Sequence, residues 1–218
     1  MAKAPIAGTV KTRLIPLLGP RAAAELYRNF LVDTLATARR VAGAATCVIC
    51  PDEEHRQMLI DLVPTDVVVL AQPHPGLMAG LAWSLSALFE RGASRVLLID
   101  ADSPTLTADL LAEAFGSLDE VDVCLGPCLD GGYYLVGTRH DCPGLFEGVA
   151  ASTAATFEQT LIQAKTLGLT TRSLARWLDV DTPADFQEFL DHLTRQSTGA
   201  PATRAWLEHA GWLARSDE

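Results

Sequence analysis

The sequence predicts a single-domain α/β fold with a mostly parallel sheet flanked by helices. Short apolar runs alternate with longer stretches of helical periodicity, the order that buries strands between layers of helix. One run, Val96-Leu97-Leu98-Ile99, is apolar at every position, as in a strand covered on both faces. With 218 residues, 49% hydrophobic and 20% charged, the chain is long enough for one ordinary domain with its own core.

Strands are expected at 46–50, 67–70, 95–99, 121–125 and 133–136. Helices are expected at 20–42, 53–62, 76–91, 107–117, 153–167, 183–194 and 201–213. Thr107 precedes Asp109, Leu110 and Leu111 and reads as a cap. Thr182-Pro183 puts a cap residue before a proline at the first helical position. Ser152 and Thr153 read as a cap after Ala151, and Gly92 and Gly168 sit where helices should stop. A polar break near 196–201 divides the chain into a domain at 1–195 and a helical extension at 196–218. Residues 2–8 read as a loop that no strand delivers.

Charge and apolar runs exclude several classes. The net charge is −10, and nucleic acid or an anionic membrane surface needs a basic face. No apolar run reaches the roughly 18 residues of a membrane span. The first residues lack the apolar stretch of a signal peptide, so a cytoplasmic protein is expected. The five cysteines are an odd number for a disulfide framework. Cys47 and Cys50 fall in one strand run, where residues three apart face opposite sides and cannot share a metal.

Chemistry concentrates in a few segments. Lys3, Lys11 and Arg13 bring cations into one short stretch of an acidic chain, around Gly8, which lets backbone approach a ligand. Phosphate oxygens need such charge and donors, although a solvated basic loop reads the same way. Asp100-Ala101-Asp102 follows the best strand, where open α/β sheets place their ligands. Two carboxylates two apart suit a hard cation such as Mg2+ or Mn2+, while Asp102 could instead cap the next helix. Asp130-Gly131-Gly132 is a tight turn leading into Tyr133-Tyr134, either a hairpin or a wall of the site; the tyrosines also suit a core. Asp179 and Asp181 repeat the acidic spacing before the capped helix, so that one could complete a metal site with Asp102. Arg139-His140 is the one further basic candidate for an acceptor phosphate. Nucleophile-elbow, zinc-helix and dinucleotide-loop motifs do not occur.

The ordered set Lys3-Ala4-Pro5, Gly8, Lys11-Thr12-Arg13-Leu14, Asp102-x-Pro104, Gly126-Pro127-x-x-Asp130-Gly131-Gly132-Tyr133-Tyr134-Leu135 and Asp179-Val180-Asp181-Thr182-Pro183-x-Asp185 resembles a known family. It is the uncharacterised bacterial family of GT-A-like glycosyltransferases, also called radical-SAM/selenodomain-associated transferase 1. More distantly, the chain is similar to 2-phospholactate guanylyltransferase and the molybdenum-cofactor nucleotidyltransferases. The resemblance implies a nucleotide-diphosphosugar transferase (GT-A, Rossmann-like) fold. It implies nucleotide contacts from Ala4, Pro5, Gly8, Lys11, Arg13 and Asp100, a divalent metal on Asp102 and Asp181, and catalytic roles for Lys11, Arg13, Asp102 and Asp130. Gly131, Gly132, Tyr133 and Tyr134 would face the acceptor or sugar. The chain departs from the family at Ala151, where relatives tend to carry Trp, and at Gly76-Leu77-Met78-Ala79-Gly80, where they tend to carry a Leu-Gly-Glu-Arg-like segment.

These readings converge on a metal-dependent transferase with a nucleotide or nucleotide-sugar donor and a small-molecule acceptor. Glycosyl transfer is the leading expectation. The alternatives are guanylyltransferase-like nucleotidyl transfer to a phosphorylated small molecule, and a non-catalytic nucleotide-binding or scaffold protein of the same fold.

Overall fold

In the computed structural model, which describes residues 1–196 and 198–214, the wholly apolar run becomes strand β3, Val96–Ile99. The other strands are β1 Cys47–Cys50, β2 Val68–Ala71, β4 Val123–Pro127, β5 Tyr133–Thr138 and β6 Thr171–Ser173. The helices are α1 Ile15–Leu18, α2 Pro20–Ala38, α3 Glu53–Ile60, α4 Leu77–Glu90, α5 Ala108–Ser117, α6 Thr156–Thr166, α7 Pro183–Arg195 and α8 Pro201–His209, with a 3-10 turn at Thr12–Leu14 before α1. No helix among the described residues is long and apolar enough to cross a membrane. All five cysteines are free.

β1 and β2 pair parallel, and the remaining strands form a sheet in the order β3-β5-β4-β6. β4 and β6 are parallel, but β5 runs antiparallel to both β3 and β4. The Asp130-Gly131-Gly132 segment is therefore a hairpin turn between β4 and β5. A register shift at Gly126/Pro127 bends the strand entering it. A Cβ at Gly126 would lie 2.2 Å from the Tyr134 ring, so only glycine lets that ring lie across the strand. Tyr134 is fully buried, donates its hydroxyl to the Ala175 carbonyl at 2.9 Å and packs beside Trp177. β6 carries no apolar signal, because its Thr171-Arg172-Ser173 side chains are all exposed and backbone pairing alone defines it.

The first two residues stand between the two sheets. Ala2 N–H donates to the Ile49 carbonyl of β1 at 2.9 Å, and the Met1 ammonium to the Ile99 carbonyl of β3 at 2.7 Å. Burial pushes that ammonium below its ordinary range. Behind it, an apolar cavity of about 1200 Å³ separates β1 from β3, walled by residues of α2 and α5.

Helix starts follow the expected chemistry. Thr182 caps α7 in a reciprocal box with Asp185, Thr107 caps α5 through Leu110 N–H at 3.2 Å, and Asp52 caps α3 through His55 N–H at 2.9 Å. The start expected at Ser152 and Thr153 differs. Ser152 adopts φ 55° and Thr153 ends in a turn, so α6 begins only at Thr156 and leaves 150–155 as an ordered loop. In α7, Phe186, Phe189, Leu190 and Leu193 share one face and meet Leu26 and Phe30 of α2; the Phe30 and Phe189 rings cross edge to face at 5.6 Å.

α8 packs on α2. It has no side-chain cap of its own, since Ala200 stands at its N-terminus. Asp33, buried on α2, supplies the acceptors instead. It receives Ala202 N–H at 2.9 Å, Thr203 N–H at 2.8 Å and the Thr203 hydroxyl at 2.6 Å. Of the expected extension at 196–218, residues 197 and 215–218 lie outside the described residues. Asp33→Ala strands these donors and is expected to lower unfolding stability by about 2–3 kcal/mol, with Asp33→Asn losing less. Urea melts followed by circular dichroism measure both.

Candidate active site

The carboxyl ends of β1 and β3, the β4–β5 turn and the segment before α7 meet around a cavity of about 810 Å³. Antiparallel β5 makes this possible. Its first residues lie beside the end of β3, where Asp100 N–H donates to the Tyr134 carbonyl at 3.0 Å, so the 128–132 turn stands over the Asp100–Asp102 loop. The Asp100 carboxylate shapes that loop by accepting from Asp102 N–H at 3.1 Å and the Ser103 hydroxyl at 3.3 Å. Burial, then the neighbouring Asp102, holds the Asp100 carboxyl well above the usual carboxylate range.

At the floor of the cavity the Lys11 ammonium lies between two carboxylates, 2.5 Å from Asp102 Oδ1 and 2.7 Å from Asp181 Oδ1. Three distant parts of the chain deliver these groups. Gly8, at φ 88°, turns the N-terminal loop, and Lys11 itself adopts a left-handed conformation with φ 46°, uncommon for a residue with a Cβ. Its stem runs inward past the Phe30 and Tyr27 rings, 5.7 and 6.0 Å from the ammonium, and its side chain is 2% exposed. The Asp181 segment is tied to the Asp102 loop through Val180 N–H, which donates to the Asp102 carbonyl at 3.0 Å. Burial alone would lower the Lys11 pKa, but Asp102 and Asp181 outweigh it and raise it. Burial likewise pushes Asp181 up, and Lys11 overcomes this to hold it below its ordinary value.

A second group lies across the cavity. Cys128, Asp130 and Asp179 present ligand-capable atoms within 4.8 Å of one another. Burial, then Asp130, pushes the Asp179 carboxyl up to about 6, and burial pushes the Cys128 thiol far above its usual range. A thiol held protonated is a poor partner for a hard cation. The paired oxygens of Asp102 and Asp181 fit Mg2+ or Mn2+ better, and they already hold one cation between them, the Lys11 ammonium.

Lys11, Arg13, Asp100, Asp102, Asp130 and Asp181 all line the cavity, as do Gly132, Tyr133 and Tyr134. Ala4, Pro5, Gly8 and Gly131 do not. The chain leaves the wall after Lys3, packs Ala4 into the core beside Val10 and Tyr27, and returns at Thr9. Gly131 instead backs onto the 150–155 loop, whose Ser152, Thr153 and Ala154 complete the wall. Arg139 and His140 sit at the far end of β5 and engage Asp122 at 2.7 and 3.2 Å, so they belong to a structural cluster and not to this cavity. Sequence reasoning misses Cys128 and the 152–154 loop as site residues, and it leaves open which of Asp179 and Asp181 stands beside Asp102; the structure brings Asp181 there and groups Asp179 with Cys128 and Asp130.

A Cβ at Gly131 would lie 2.2 Å from the Ala154 carbonyl oxygen, and the residue has φ 90°. Gly131→Ala is therefore expected to cost about 2–4 kcal/mol and to displace the 152–154 wall. Gly132→Ala meets only the flexible Asp130 carboxylate, at 3.1 Å, and should cost about 1 kcal/mol at most. Thermal melts of the two variants compare them directly.

Residues 34–153 match a family described as an uncharacterized protein conserved in bacteria (DUF2064). The chain is 32% identical over 190 residues to the phosphoenolpyruvate guanylyltransferase of Sphaerobacter thermophilus, a match spanning 84% of this chain and 88% of that protein. A solved structure assigned as a nucleotide-diphospho-sugar transferase from Desulfovibrio desulfuricans G20 superposes with a TM-score of 0.86 at 28% identity, covering 98% of this chain and 96% of that one. The 2-C-methyl-D-erythritol 4-phosphate cytidylyltransferase of Thermus thermophilus shares the fold, with a TM-score of 0.52 at 17% identity over 90% of this chain and 100% of its own. Family match, sequence relative and fold agree, and the chain belongs to this bacterial DUF2064 family, as a transferase with the nucleotide-diphosphosugar transferase fold.

Proposed function

We propose that the protein transfers a nucleotidyl group, with GTP as the first donor to test, to a small phosphorylated acid of the phosphoenolpyruvate type. The observation that carries this is the placement of Lys11, Asp102 and Asp181 at the floor of a cavity that Arg13 also lines. The relative named a guanylyltransferase favours nucleotidyl over glycosyl transfer, which reverses the order implied by the family resemblance.

An acceptor phosphate oxygen attacks the α-phosphorus of the nucleotide. The bond from that phosphorus to the bridging oxygen of the β-phosphate breaks, pyrophosphate leaves, and a phosphoanhydride joins nucleotide and acceptor. Little covalent chemistry falls to the protein, so its task is positioning and charge neutralisation. Lys11 and Arg13 pair with phosphate oxygens of the donor. Asp102 and Asp181 would hold a divalent cation, Mg2+ or Mn2+, whose charge would offset that of the phosphates. Asp100 keeps the loop carrying Asp102 in shape. Asp130, Gly132 and Tyr133 face the acceptor side together with the 152–154 wall. Glycosyl transfer is the second reading, favoured by the assignment of the Desulfovibrio desulfuricans structure.

Incubation with a panel of nucleoside triphosphates and nucleotide-sugars, each with Mn2+ and phosphoenolpyruvate, separates the readings. Pyrophosphate release with a nucleotide–acceptor adduct by mass spectrometry is expected. Release of a nucleoside diphosphate from a nucleotide-sugar would assign glycosyl transfer instead, and no turnover with any donor would support a binding or scaffold role. Asp102→Asn should lower kcat by about 100- to 1000-fold. Arg13→Ala should act mainly through a nucleotide KM raised about tenfold or more.

A further inference from the structure

We propose that Lys11 is a resident counter-cation which holds the metal position between Asp102 and Asp181 until a nucleotide triphosphate arrives, so that metal and nucleotide bind as a coupled pair. This rests on the nucleotidyl-transfer reading above and adds the order and coupling of binding.

The ammonium contacts both carboxylates at ion-pair distance, 2.5 and 2.7 Å, so it occupies the place where a divalent cation held by the same two residues would sit. The two cations exclude each other there, by volume and by like charge. On its other side the ammonium meets the Phe30 and Tyr27 rings, and those offer no full negative charge for it to move to. Departure from the carboxylates therefore needs a new anion. The cavity wall itself offers more carboxylates, but Asp100 turns back onto its own loop, accepting from Asp102 N–H and the Ser103 hydroxyl, and Asp130 and Asp179 stand together beside Cys128. Phosphate oxygens of a bound nucleotide, beside Arg13, supply that new anion.

Lys11 also has the means to move. A lysine stem has four rotatable carbons and a point charge without a fixed fork, unlike arginine. Its backbone is held at φ 46°, a conformation that costs energy in a residue with a Cβ and persists only while its surroundings enforce it. With Lys11 on the carboxylates, a divalent ion alone must displace an ion pair. With Lys11 on phosphate, the carboxylates are free for it. Linkage then requires each ligand to tighten the other by the same factor.

The test is Mn2+ binding by electron paramagnetic resonance and calorimetry, on the full chain and without acceptor. Lys11→Met removes the competing charge while keeping the length of the stem. It is expected to bind Mn2+ at least tenfold more tightly than the wild type when no nucleotide is present. Asp102→Asn should abolish that binding in both backgrounds. GTP should tighten Mn2+ binding by a larger factor in the wild type than in Lys11→Met. Where Lys11→Met fails to melt cooperatively, Lys11→Gln serves for the same readout. Mn2+ affinity equal to or weaker than wild type in both Lys11 variants, including no binding in either, overturns the exchange. Turnover is a separate readout. Loss of turnover with every nucleotide would sink nucleotidyl transfer while leaving the Mn2+ comparison standing, and equal Mn2+ affinities beside normal wild-type turnover would sink only the exchange.

Discussion

The buried ammonium of Lys11 joins the N-terminal loop, the loop after β3 and the segment before α7 at one point. Taking a charged lysine out of water is costly, and the cost is tolerable only with opposite charge at contact distance. Here two carboxylates provide it, each little more than a third exposed, so their own desolvation is partial. The arrangement leaves the pair with a cation whether or not a ligand is present. Without it, two like charges would face each other at the floor of an already acidic cavity.

The surrounding fold is arranged to aim those groups. β5 runs against β3 and β4, which returns the chain to the carboxyl end of β3 directly after the β4–β5 turn. A parallel strand at that place would have begun at the opposite end of the sheet and carried the turn away from the site. Gly126 and Gly131 allow the close approaches this needs, one beneath the Tyr134 ring and one against the Ala154 backbone. The loop at 150–155 gains its place as a wall because α6 starts later than its cap-like residues suggest.

The sheet itself is held in two parts, joined at the first residues of the chain. Backbone bonds from Met1 and Ala2 bridge β1 and β3 just where the cavity opens, so the N-terminal loop is anchored at the site before it turns to present Lys11. Tyr27 supports the same stretch by accepting from Lys3 N–H at 3.0 Å. α2 therefore has a double role. Its Phe30 packs against α7 in the core, and its Tyr27 and Phe30 rings form the apolar side of the Lys11 pocket.

Local chemistry made much of this legible from the sequence. Apolar runs marked β1 to β5, and helical periodicity with Thr107 and Thr182 as caps marked α2 to α8, because burial period and end-capping depend on near neighbours. The cations at 11 and 13 and the acidic pairs at 100–102 and 179–181 were likewise visible as residues that need partners or ligands. Tertiary structure alone decided which partners they take. Lys11 pairs with Asp102 and Asp181, not Asp100, because Val180 is tied to the Asp102 carbonyl while the Asp100 carboxylate turns back onto its own loop. Ala4 faces the core and Arg139 with His140 face Asp122, since chain direction and the hand of β5 set their positions and neither can be read from spacing. β6 and the 150–155 wall also came only with the fold, for their side chains carry no burial pattern: β6 is defined by backbone pairing with β4, far along the chain, and the wall by the close approach of Gly131 to the Ala154 backbone.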